Sequence, residues 1–206
     1  MGHTRPPLLV VCALRIERFA LRGGAAGSAA ERVTVLRTGM GPANADRAVR
    51  QALHESEPSG ASVLTTGFCA GLATGMRPGD VVVADDGHNS AELVTALKAV
   101  LADTGHTVHT GTLAESDHVV RGAERAALAA TGAIAVDMES AAMRRAALAQ
   151  GARHVAAARV VVDTPEYELV RVGTLRTGII AFRVLRDLVP AFLEWHRTTL
   201  APPEVS

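Results

Sequence analysis

Long apolar runs are missing from this chain of 206 residues. None approaches the about 20 consecutive apolar residues that a membrane-spanning helix needs. Aromatic side chains are scarce, at 3%, which removes most of the stacking platforms that single-stranded nucleic acid requires. Neither sign of charge dominates: 21 Lys and Arg stand against 21 Asp and Glu. A phosphate-backbone partner asks for a basic excess, so no nucleic-acid partner is expected. Only Cys12 and Cys69 carry thiols, each inside an apolar run. No Cys-x-x-Cys pair occurs, and His88, His106 and His109 show no metal-ligand spacing, so no zinc or other metal is expected. Both cysteines read as reduced core thiols of a cytosolic protein. The polar stretch 1–7 and the apolar run 8–14 are too brief for a signal peptide. The expectation is a cytoplasmic protein, with peripheral contact to a membrane left open. Neither G-x-G-x-x-G nor G-x-x-x-x-G-K-[ST] is present, so the Gly-rich turns carry no dinucleotide or P-loop fingerprint.

What the chain does have is a large supply of small apolar residues. It is 48% hydrophobic, enough to bury a sizeable core. Continuous apolar runs, as in strands covered on both faces, fall at 8–13, 80–84 and 154–162. Shorter strands are expected at 33–36, 62–66, 107–113 and 133–136. Helical patterns fall at 16–21, 43–55, 90–101, 124–130, from Met138 to Gln150, and at 172–188. Gly151 suits the left-handed position past a helix end. Pro190 and a tail follow the closing helix. Strands alternating with helices predict an α/β fold of three layers, αβα, around a mainly parallel mixed sheet. With no repeat, linker or break in composition, 1–206 reads as one domain with its core at about 8–190.

In open α/β sheets, ligands bind beyond the carboxyl ends of strands. The polar residues that fall there are Glu17, the turn Thr38-Gly39-Met40-Gly41, Thr66-Gly67, Ser116-Asp117-His118, Asp137 to Glu139, and Asp163. Each also has a plainer reading. Glu17 could be a solvated helix residue, and Asp137 and Glu139 could complement a helix dipole. Asp163, before Thr164-Pro165, could start a turn. His118 could be a cap or surface residue.

The order Ala13-x-x-x-Glu17, Thr38-Gly39-Met40-Gly41, Thr66-Gly67-x-x-Ala70-Gly71, Arg77-Pro78-Gly79-Asp80-Val81-Val82-Val83, Val136-Asp137-Met138-Glu139-Ser140-Ala141 and Arg159-Val160-Val161-Val162-Asp163 resembles the nucleoside phosphorylase/nucleosidase superfamily. That superfamily includes purine nucleoside phosphorylases and methylthioadenosine/S-adenosylhomocysteine nucleosidase. Within it, Ser116-Asp117-His118-Val119-Val120 together with the Asp137-Met138-Glu139-Ser140 block looks most like the hopanoid-associated phosphorylases, thought to remove adenine from adenosylhopane. The resemblance implies cleavage of a purine N-ribosyl bond without a cofactor, phosphate being a conceivable co-substrate. It implies Asp163 as the acid for the departing base, its proton retained through burial among Val160 to Val162. It implies Glu139 on the ribose hydroxyls and Glu17 on an attacking water. Met138 packs beside the ribose, and Asp137, Thr66, Gly67, Phe68, Val119 and Val120 complete the substrate site.

Three departures from the nucleosidase pattern accompany the resemblance. Phe68 replaces a small polar residue, Val119 replaces the base-stacking aromatic, and the 86–106 segment is short, which implies a more open mouth on the 5′ side. Arg15, Arg18, Arg37 and Gly39 are the candidates for holding phosphate, since arginine binds it bidentately; Glu17 in the same pocket favours water. Methylthioadenosine/S-adenosylhomocysteine nucleosidase, or a nucleoside-binding protein without catalysis, are the alternatives. Relatives in the family imply a homodimer or a larger homo-oligomer.

Overall fold

Both faces of the first strand are buried, and this sets the layering. The computed structural model describes residues 6–26, 33–55, 61–85, 90–166 and 174–201. Its elements in chain order are β1 (Leu8–Cys12), α1 (Arg15–Ala25), β2 (Val33–Arg37), α2 (Pro42–Glu55), β3 (Ser62–Gly71), β4 (Val81–Ala84) and α3 (Ser90–Leu101). Then follow β5 (Val108–Glu115), α4 (Ala123–Ala130), β6 (Ala133–Asp137), α5 (Ser140–Ala149), β7 (His154–Asp163), α6 (Thr174–Asp187) and α7 (Val189–Thr199). Along β1, Leu8, Val10 and Cys12 enter one apolar cluster, while Leu9 and Val11 enter another, because successive side chains of a strand point to opposite faces. The first cluster is closed by α1, α3, α6 and α7 through Leu21, Leu97, Leu185, Phe192 and Trp195. The second is closed by α2 and α5 through Val49, Leu53, Met143 and Ala146. The protein is thus α/β with helices on both sides of a mixed, mainly parallel sheet.

The sheet also closes on itself, which the alternation of elements did not foretell. β2, β1, β3 and β7 run parallel to one another. β4, β5 and β6 form a second parallel group. The groups meet antiparallel at both ends, β3 with β6 and β4 with β7. The circuit β3–β6–β5–β4–β7 therefore returns to β3. Its interior is filled by Cys69, Val82, Ala135 and Val161, with Met76 and Leu113 beside them. Burial pushes the Cys12 thiol up to about 12, reinforced by the Glu17 charge, and pushes Cys69 up too; both are free thiols packed as small hydrophobes.

Two expected boundaries move. β3 does not stop at Thr66 but continues through Gly67 to Gly71, and this extension is the part that reaches β6. The expected helix 172–188 is α6, whose first two expected residues lie outside the described ones. It is followed by a further helix, α7, with Pro190 in the first turn; of the expected tail 201–206, only Ala201 lies within the described residues. Proline is tolerated there because that position has no intrahelical N–H partner to lose. Gly151 adopts φ +81° past the end of α5, as expected. Among the described residues, no helix is long and apolar enough to cross a membrane.

Helix α7 belongs to the core, since Trp195 and Phe192 are among the most buried side chains. Trp195→Ala should therefore lower the unfolding free energy by about 3–5 kcal/mol, read by urea titration with circular dichroism. A loss below about 1 kcal/mol would place α7 outside the cooperative core.

Candidate active site

Closure of the sheet brings several strand ends to one place. The carboxyl ends of β3 and β6 abut, Ala70 opposite Val136, and Asp163 at the end of β7 also pairs with Ala70. The end of β1 leads into α1 beside them. A cavity of about 270 Å³ opens there. It is lined by Glu17, Asp137, Glu139 and Asp163, by Arg125, and by apolar walls that include Met40, Phe68, Met138, Val119, Val120 and Val162. The four carboxylates expose only 2%, 6%, 7% and 3% of their surfaces respectively. Carboxylates this buried must be held by specific donors.

Glu17 is not the solvated helix residue that its position in sequence allowed. Its Oε2 accepts the backbone N–H groups of Ala13 (3.0 Å) and Leu14 (2.8 Å), and its Oε1 accepts that of Phe68 (2.8 Å). It thus pins the start of α1 to β3. Gly67 makes that approach possible, for a Cβ there would meet Glu17 Oε1 at 2.5 Å and an Arg159 guanidinium nitrogen at 2.6 Å, and its φ is +137°.

The carboxylates between β6 and α5 divide the work. Asp137 accepts the Ser140 N–H at 3.2 Å and also the Ser140 hydroxyl, and its Oδ2 lies 2.7 Å from Arg159 Nε. It is the residue that serves the helix start. Glu139 reaches instead across the cavity to accept the Gly41 N–H at 3.0 Å. Among the described residues, no donor meets its second oxygen. Burial pushes its carboxyl above the usual range, against the Gly41 amide and the Arg159 charge, while Asp137 and Glu17 push the same way as burial.

Two arginines complete the charge pattern: Arg159, quoted in the last sequence motif without a role, and Arg125, which no motif contains. Arg159, fully buried in β7, donates to Ser140 Oγ (2.6 Å) and to the Thr66 carbonyl (2.6 Å), besides its pairing with Asp137. Arg125, from α4, is ion-paired with Asp163 and donates from Nε to the Val120 carbonyl at 3.2 Å. The expected apolar cage around Asp163 is thus replaced by an ion pair. Neither arginine could be found from spacing, since a single cation in an Ala-rich helix or a valine-rich strand has no periodic partner. His118 also lines the cavity, with its exposed ring held by Asp117 (Nδ1, 2.7 Å) and Glu124 (Nε2, 3.0 Å). Those two carboxylates raise its basicity, Asp117 most.

The remaining expected site residues fall in different places. Asp137 lines the cavity, but its carboxylate is engaged by Ser140 and Arg159 and is not presented to a ligand. Thr66 and Gly67 are buried or backbone supports beneath the cavity, Thr66 offering its carbonyl to Arg159. Arg15 and Arg37 are exposed, Arg18 is half-buried, and none of the three lines the cavity. A Cβ on Gly39 would meet nothing within 4 Å, and the residue adopts φ +86°. Of the 86–106 segment, 90–101 is α3 and 86–89 lie outside the described residues. Among the described residues, no group of three or more His, Cys, Asp or Glu could hold a metal ion.

The fold has many solved counterparts. A Streptococcus pneumoniae MTA/SAH nucleosidase in complex with 8-aminoadenine superposes with a TM-score of 0.69 at 20% identity, covering 91% of this chain and 99% of that one. A Neisseria meningitidis 5′-methylthioadenosine/S-adenosylhomocysteine nucleosidase with methylthio-immucillin-A gives 0.70 at 19% identity, covering 94% and 99%. The futalosine hydrolase of Helicobacter pylori gives 0.70 at 15% identity, covering 96% and 100%. No curated protein matches the chain in sequence. A family model described as the phosphorylase superfamily matches residues 21–89 and 86–173, so most of the chain, including all of the cavity's carboxylates except Glu17, falls within the match, and the chain belongs to the phosphorylase superfamily.

Proposed function

We propose that this protein hydrolyses the N-ribosyl bond of an adenine nucleoside with a bulky apolar 5′ group, of the adenosylhopane type. The observation that carries the reading is the charge balance at the cavity. Glu17, Asp137, Glu139 and Asp163 gather there against the guanidiniums of Arg125 and Arg159. Breaking the bond builds positive charge on the sugar, so surplus negative charge stabilises that state over the neutral nucleoside. The same surplus opposes a phosphate dianion, and the three arginines that could have offset it lie outside the cavity. Water is the acceptor that fits.

In the reaction, the bond from C1′ to N9 breaks and the water oxygen bonds C1′. Glu17, fixed by three backbone donors, orients the water and takes its proton. Glu139 accepts from the ribose hydroxyls through its second oxygen. Asp163, paired with Arg125, takes up a proton from solvent as the nucleoside enters and gives it to adenine at N7 as the C1′–N9 bond breaks, while Glu17 returns the proton of the attacking water to solvent. Phe68, Met138 and Val120 wall the base and sugar. Met40 and Val119 are 60% and 57% exposed at the cavity. An apolar 5′ tail would cover them, each buried methylene contributing about 0.8 kcal/mol. The names of the solved counterparts favour a second reading, methylthioadenosine/S-adenosylhomocysteine nucleosidase. Adenine release from adenosine, methylthioadenosine and a series of 5′-alkyl adenosines, with and without phosphate, separates the readings. Preference for the longer alkyl groups supports the first, preference for methylthioadenosine the second, and no release from any of them overturns both.

Asp163→Asn should reduce kcat by about 10²–10⁴-fold, the usual contribution of a general acid. It should also lower the melting temperature, because the buried Arg125 loses its counter-charge. Turnover close to wild type, measured as adenine release, would remove Asp163 from the chemistry.

Glu139→Gln should weaken a charge-assisted bond to ribose worth about 1.5–3 kcal/mol. The loss should be larger on ribonucleosides than on their 2′-deoxy counterparts; equal losses would reduce Glu139 to a structural carboxylate.

The pH dependence follows from the same group. A buried carboxyl with a raised pKa loses its ionised form as pH falls through a value above the ordinary carboxylate range. The acid limb of kcat/KM should therefore lie above that range, and a limb within it would contradict an ionised Glu139 in the reaction.

A further inference from the structure

Outside the cavity, α1 and α6 build a surface that the chemistry does not use. The Phe19 ring stacks on Phe182 with centroids 6.1 Å apart. Five residues along α1, a Cβ on Gly24 would come within 2.2 Å of the Arg186 carbonyl, four residues along α6 from Phe182. The helices therefore run parallel and in close contact. On their outer side Ile16, Phe19 and Ile179 are 50%, 72% and 43% exposed. Helical spacing puts them in stripes, Ile16 and Phe19 on α1 and Ile179 and Phe182 on α6.

Arginines flank both stripes. Helix α1 carries Arg15, Arg18 and Arg22, and α6 carries Arg176, Arg183 and Arg186. The carboxylates of the two helices are Glu17, which is buried in the cavity wall, and Asp187, which pairs with Arg186 at 2.8 Å. The ridge is thus apolar along its crest and strongly cationic along its sides. That combination matches the boundary between headgroups and acyl chains of an anionic bilayer. A second copy docked here about a twofold axis would bring two copies of the same cationic patch face to face. A hydrophilic polyanion would neutralise the arginines but leave Phe19, Ile16 and Ile179 in water.

We propose that the α1–α6 ridge docks on an anionic lipid bilayer, with Phe19, Ile16 and Ile179 entering the interface and the arginines meeting lipid phosphates. The ridge begins at the edge of the cavity, since Leu14 and Glu17 at the start of α1 both line it. Docking would bring the cavity mouth to the source of an apolar-tailed nucleoside. The placement of charge and exposed apolar groups stands without that reading of the substrate.

Flotation of the full chain with vesicles of phosphatidylcholine alone, or of phosphatidylcholine with phosphatidylglycerol, tests the proposal. The protein should float only with the anionic vesicles and should be released by salt. Phe19→Ser should weaken binding by about tenfold or more. The double change Arg22→Ser and Arg183→Ser should weaken it by roughly twentyfold. Neither should alter turnover of a soluble adenine nucleoside, assayed separately, so failure of the activity reading leaves the flotation result standing. Absence of flotation with anionic vesicles would overturn the proposal, whether Phe19→Ser instead splits an oligomer in sedimentation velocity or the ridge retains RNA. Equal flotation with neutral vesicles, or flotation that the variants do not weaken, would overturn it too.

Discussion

The buried guanidinium of Arg159 is the interaction on which the cavity depends. Planar and permanently charged, it can meet several acceptors at once. Here it binds the Thr66 carbonyl on β3, the Ser140 hydroxyl at the start of α5 and the Asp137 carboxylate at the end of β6, from its own place on β7. It therefore ties together the strands that close the sheet and the helix start that presents Glu139. A buried ion pair adds little net stability over an apolar alternative, but removing one partner leaves an uncompensated charge costing about 3–5 kcal/mol. The pair is better explained by what it permits. Arg159 sets a permanent positive charge beside the buried carboxylates of Glu17, Asp137 and Glu139. Arg125 does the same for Asp163 on the other wall.

Closure of the sheet turns this electrostatic arrangement into a site. In an open parallel sheet the carboxyl ends would lie along one edge, spaced by the strands. Here β3 extends beyond its parallel partners and meets β6 head-on, so the ends of β3, β6 and β7 share residues Ala70 and Val136 as neighbours. Glu139 and Asp163 then face one cavity. The glycine that allows β3 to pass so close to Glu17 and Arg159 is Gly67, whose backbone conformation and lack of a Cβ are both required.

Much of the fold was legible because apolar runs and helical stripes have strong periodicity. The strand-end rule also located Glu17, Glu139 and Asp163. What it could not assign was the partner of each. Arg125 sits in a helix between the expected strands 107–113 and 133–136, at the end of neither, and only folding brings it to Asp163. Arg15 and Arg18 fall outside the cavity lining despite their place in the chain. They are close to Glu17 in sequence, but a helix turns by about 100° per residue, so the turn that buries Glu17 carries its neighbours away from the cavity. Helix α7 was hidden by Pro190, which reads as a stop but is compatible with a first turn. The closure of the sheet left no local mark, because antiparallel contacts at two strand ends involve few residues.

A cavity with four carboxylates, two of them neutralised by guanidiniums, should let water rather than phosphate complete the reaction. Running the reaction in heavy-oxygen water with phosphate present, and weighing the sugar product, addresses that claim most directly. The account predicts a free sugar carrying one heavy oxygen, formed at a rate indifferent to phosphate. A sugar 1-phosphate without the label would contradict it.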